Sequence, residues 1–152
     1  MQLLTPSWLT AARALQVKPG QYLKAQILDE IFQPFKLRVI YAPPALSAAF
    51  LNHFLNQSGQ TGNKSLSPLD FANYGRKLHS PHVGAIAVIQ FYQSGHLLGG
   101  VAGLVDTIED ASHIHLLLPH LHADFHVSLP LNRLPFAIVS DYRWPPNAKM
   151  PP

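Results

Sequence analysis

The sequence predicts an α+β domain, with helices gathered on one side of an antiparallel sheet. Two patterns carry this. Before residue 80, apolar residues recur at three- and four-residue spacing and each run stops at proline or glycine. After Pro81, alternating and β-branched runs follow one another, divided by Gly, Ser, Asp and Pro. A chain of 152 residues that is 47% hydrophobic is long enough to bury one real core, so a single domain over 1–145 with a loose tail over 146–152 is expected.

Thr5-Pro6 opens the first helix as a cap followed by a first-turn proline, and Trp8, Ala12 and Leu15 share a stripe that Pro19-Gly20 ends. Leu23, Ile27 and Ile31 mark a second helix that stops before Pro34. Residues 35–39 alternate as a short strand, and Pro43-Pro44 breaks it. From Ala45 a third helix presents Leu46, Phe50 and Phe54 beside Leu51 and Leu55, with Ser58-Gly59 as its stop. A polar loop over 60–65 leads to Ser67-Pro68-Leu69-Asp70, the signature of a short helix that Gly75 closes. Five strands are expected beyond it, over 84–92, 96–105, 113–118, 125–129 and 137–142, in a sheet of five or six. Trp8 and Trp144 read as core anchors. Gly99-Gly100 lacks the Lys-Ser/Thr of a phosphate loop and reads as a bulge or a close backbone approach.

Composition excludes several functions. Charged residues make up 12% against the usual ~25%, and the net charge of +3 comes from basic residues scattered singly, so nucleic acid is not an expected partner. Cysteine is absent, which removes disulfides, thiolate zinc sites and a thiol nucleophile. No stretch reaches the ~18 apolar residues of a membrane span, and the N-terminus lacks the basic and apolar regions of a cleaved leader. Cytoplasmic synthesis is expected, with leaderless export as the route to a cell wall. Nine histidines are the conspicuous polar resource. His113 and His115 fall on one face of a strand, and His120, with Asp110, Glu109 or Asp124 nearby in sequence, adds further donors; no zinc signature is present and no cofactor is expected. His53 is expected on the solvent side of the third helix.

Ala45-Leu46-Ser47-Ala48-Ala49-Phe50-Leu51-Asn52 resembles the Trp-Cys-Ala-Ala-Phe-Val-Asn helix start of the small bacterial and phage papain-like cell-wall hydrolases related to the NlpC and CHAP groups. Similar fragments follow in the family's order: Pro6-Ser7-Trp8-Leu9 with Ala11-Ala12-Arg13, residues 61–65, residues 71–75, Pro81-His82-Val83-Gly84-Ala85-Ile86, Gly95-His96 and Tyr142-Arg143-Trp144-Pro145. The resemblance implies a papain-like fold, a groove for a peptidoglycan stem peptide, and amide cleavage through an acyl-enzyme. It puts Ser47 at the nucleophile position, His96 at the base, and His122 at the orienting position, with His113, His115 and His120 as rivals. Tyr41 is the expected lining of the oxyanion side.

Ser47 stands where the family carries cysteine. A thiol of pKa ~8.5 is drawn into its anion by a helix end and an imidazole, whereas a hydroxyl reacts only where base and oxyanion donors are aligned for concerted transfer. A weak or inactive hydrolase-like domain is therefore the leading expectation. Its alternatives are an active Ser/His peptide hydrolase and a non-catalytic protein-interaction module of a phage or secretion assembly.

Overall fold

The computed structural model describes residues 5–14, 43–110, 113–117, 126–130 and 137–151. Leu15, the expected second helix and the expected 35–39 strand lie outside them. In chain order the elements are α1 (Ser7–Ala14), α2 (Pro43–Gln57), a 3-10 helix (Pro68–Asn73), and strands β1 (Arg76–Leu78), β2 (Ile86–Gln93), β3 (His96–Asp110), β4 (His113–Leu117), β5 (His126–Pro130) and β6 (Ala137–Trp144). The strands form one six-stranded sheet in the order β1-β6-β2-β3-β4-β5, and every neighbouring pair is antiparallel. The expected α+β architecture is present.

The described helix ends have local reasons. The Pro6 carbonyl accepts the N–H groups of Leu9 and Thr10, both at 3.1 Å, so the proline caps α1 from outside it. In α2 the two prolines occupy the first turn, where their missing N–H groups have no intrahelical acceptor to lose. Gly59, with φ of +78°, ends α2 in a left-handed turn: its N–H reaches Asn56 O at 3.2 Å and Gln60 N–H reaches Leu55 O at 2.9 Å. Ser67-Pro68 starts a 3-10 turn, not an α-helix, and its serine hydroxyl caps nothing.

The core lies between the helices and the middle of the sheet. Ala48, Ala49, Phe50, Leu51, Phe54 and Leu55 of α2 are buried where the helix packs on β3, whose Ala102, Leu104 and Val105 are buried too, while Ile86 to Ile89 of β2 lie buried beside the 3-10 helix. Four consecutive buried residues in β2 mean that both sheet faces are covered there. Gly84 N donates to Val105 O and Val105 N to Ala85 O, both at 2.8 Å, which seats the Pro81–Ile86 turn on β3. Trp8 Nε1 donates to Gly84 O at 2.7 Å, and its ring meets Trp144 edge-on with centroids 5.2 Å apart. Both tryptophans are therefore core anchors, as expected.

Three strand features depart from the sequence reading. β1 is only three residues long, too short to show a period, and is fixed by pairing Arg76 to Leu78 with Trp144 to Tyr142. β3 runs to Asp110, five residues beyond the expected end, because bulges after Val105 and Ile108 fit its acidic residues into the pairing with β4. β5 ends on Pro130, tolerable on an edge strand. The expected loose tail is tied down through residue 149: Trp144 Nε1 donates to Lys149 O at 2.9 Å, Arg76 donates to the Ala148 carbonyl, and Ala148 packs on the core.

Candidate functional site

Ser47 sits in the first half of α2, 2% exposed, and its Oγ accepts the Ala102 N–H at 3.4 Å. The strand pattern explains the contact. Val105 turns its N–H and C=O toward β2, so Leu104 and Ala102 turn theirs the other way, toward β4. The register of β4 ends with Leu117 opposite Leu104. The next outward N–H of β3 is that of Ala102, and it is the one that the serine oxygen accepts.

His96 is the exposed first residue of β3, paired with Gln93 across the β2–β3 hairpin. Six residues separate it from Ala102, about 20 Å of extended strand at ~3.3 Å per residue. A hydrogen bond between nucleophile and base spans only ~2.6 to 3.2 Å. The structure therefore does not bring the Ser47 hydroxyl and the His96 imidazole together. Tyr41, His120, His122 and Asp124 lie outside the described residues, and of His113 only the backbone is described. His115 is half-buried on β4, its Nε2 2.9 Å from Glu109 Oε2.

Two polar side chains that hold this region together carry no role in the sequence reading. Asn52, 3% exposed, lies one and a half turns beyond Ser47 on α2. Its Nδ2 is 2.9 Å from Ala48 O, 3.1 Å from Asn63 Oδ1 and 3.1 Å from Ser65 O, while its Oδ1 accepts Lys64 N–H at 3.0 Å. Gly62 has to be glycine because a Cβ there would run into Asn52 Oδ1. Asp106 of β3, 8% exposed, receives Arg13 Nε at 2.5 Å, and Arg13 also donates to the Asp106 carbonyl at 2.8 Å, tying α1 to the sheet. A buried amide next to a polar loop was the available signal for Asn52; nothing local marks the Arg13–Asp106 pair, whose members are 93 residues apart.

Burial raises the hydroxyl pKa of Tyr74 and of Tyr142 to about 12. Tyr74 also donates to Thr61 O at 2.6 Å, holding the far end of the Asn52 loop. His53 does not face open water as expected: it is half-buried, edge-on to the Phe54 ring at 5.7 Å, and lines an open depression of about 270 Å³ with Ala11, Ala14, Phe54 and Gln57. Among the described residues no three His, Asp or Glu side chains gather as a metal cluster, and no helix is long and apolar enough to cross a membrane. Comparison with protein families, with curated proteins and with solved structures finds no match for this chain.

Proposed function

We propose that this chain is a degenerate papain-like domain of the peptidoglycan amidase and endopeptidase type, which binds a wall peptide and does not cleave it. The order of elements supports the scaffold: an opening helix, a central helix whose first half abuts the sheet, the Pro81–Ile86 turn into β2, and the Tyr142-Arg143-Trp144 segment on β6 beside it. The position of Ser47 carries the loss of chemistry. A nucleophilic oxygen needs a base within hydrogen-bond reach and room for a carbonyl carbon beside it. The Ser47 oxygen is buried, accepts a main-chain N–H, and stands about 20 Å of strand from His96. Misplacement of even ~1 Å can cost ~100-fold in rate.

The test digests purified sacculi with the parent chain, Ser47→Cys and Ser47→Ala, reads released peptides by chromatography, and measures cosedimentation of each protein with the sacculi. The expected result is sedimentation without product from all three. Product from the parent that disappears in Ser47→Ala establishes a Ser/His hydrolase instead, and product from Ser47→Cys alone shows a cleft that lacks only the thiol. A second reading, a protein-interaction module, is favoured by the exposed Leu97 and Leu98 at the β2–β3 hairpin, 49% and 64% accessible. No product and no sedimentation would select it.

A further inference from the structure

We propose that the outer edge of β1 binds an acidic peptide as an added strand, its carboxylates pairing with Arg76, Lys77, Arg143 and Lys149. This site is separate from the Ser47 region, which meets β3 on the far side of β6 and β2. The inference starts from the register. Basic residues dispersed along the sequence meet at this end of the sheet: Lys77 lies directly opposite Arg143, and Arg76 opposite Trp144. Lys149 joins them because the chain beyond β6 folds back, its carbonyl held by Trp144 Nε1 and that of Ala148 by Arg76. Like charges directly opposite one another in a sheet repel. Among the described residues the carboxylate paired here is Asp141, which accepts Arg143 Nη2 at 3.0 Å. Asp70, on the 3-10 helix that packs against β6, accepts the Ser65 hydroxyl instead. The Nε groups of Arg76 and Arg143 are buried and meet no acceptor. This end of the sheet is therefore short of both negative charge and acceptors.

The arrangement selects the shape of the ligand. Among the described strands β1 has one neighbour, β6, so the main-chain groups on its other edge pair with no strand. Successive strand residues point to opposite faces, so Arg76 and Lys77 do not converge on one small anion. An extended peptide laid along β1 meets both. Two adjacent acidic residues then stand opposite the two cations, one on each face, while the main chain takes its hydrogen bonds from the strand edge.

The test titrates the whole chain into a short fluorescent peptide, two adjacent glutamates among valines and threonines, and reads anisotropy. Saturable binding is expected, weaker in about 0.5 M than in about 0.05 M salt because the longer Debye length leaves the charges less screened. Lys77→Glu should weaken it at least about tenfold, whereas Lys64→Glu, the same change of charge on the exposed loop after α2, should alter it less than about twofold. Lys149→Glu repeats the measurement should Lys77→Glu unfold. The same peptide with alternate main-chain nitrogens methylated should lose binding, since it can no longer pair as a strand. No saturable binding, equal losses in Lys77→Glu and Lys64→Glu, undiminished binding of the methylated peptide, or equally tight binding of a single-stranded oligonucleotide or of anionic lipid vesicles overturns the site.

Discussion

Asn52 has nearly all of its amide committed inside the protein, with four partners drawn from its own helix and from residues 63–65. Replacing it by alanine leaves buried N–H and C=O groups without partners, which should cost about 2 to 3 kcal/mol in denaturant unfolding. Ser47→Ala removes the acceptor that the Ala102 N–H meets at 3.4 Å and should cost about 1 kcal/mol; a loss above ~3 kcal/mol in the same assay would show that the hydroxyl does more than meet that N–H. At this scale the sequence was informative about residue type and silent about distance. It marked His96 at the start of a strand, where it lies, and Ser47 in the first turn of a helix from Ala45, whereas the helix begins two residues earlier, at Pro43, and Ser47 is its fifth residue. Which point along β3 faces α2 is settled by packing, and that point is Ala102, not His96.

The end of α2 isolates one energetic effect. A Cβ at Gly59 would touch nothing within 4 Å, so Gly59→Ala tests the left-handed backbone alone and should destabilise by about 1 kcal/mol without changing the near-UV spectrum. Gly75 differs: its φ is +60° and a Cβ would also collide with the Trp144 carbonyl, so Gly75→Ala should cost more than Gly59→Ala in the same assay. The strand ends were less legible than the helix ends. Helix stops are written in single residues such as Gly59, whereas the extension of β3 through Asp106 to Asp110 depends on a partner strand and two bulges. Arg13 pairs with Asp106 within that extension and ties it to α1. Arg13→Ala should therefore loosen α1 from the sheet, at a cost of about 1 to 2 kcal/mol and with faster amide exchange in residues 7–14.

For the molecule as a whole, burial of two described tyrosines, Tyr74 and Tyr142, raises their hydroxyl pKa from 10.0 to about 12. The folded state keeps those protons while the unfolded chain loses them near pH 10, so stability is intact below pH 10 and declines as pH rises from there through 12. Absorbance at 295 nm should show Tyr74 and Tyr142 titrating late, with melting temperature dropping over the same window; full ionisation by pH 10.5 with no change in melting would refute this. The α+β class was legible because helix and strand periods occupy separate halves of the chain. The sheet order was not, since nothing in β6 announces that it lies between β1 and β2. That topology makes Trp8 and Trp144, the only two indoles in the chain, neighbours across 136 positions. Their emission and coupled circular dichroism thus act as a built-in gauge of whether the opening helix and the closing strand have met, with no label required.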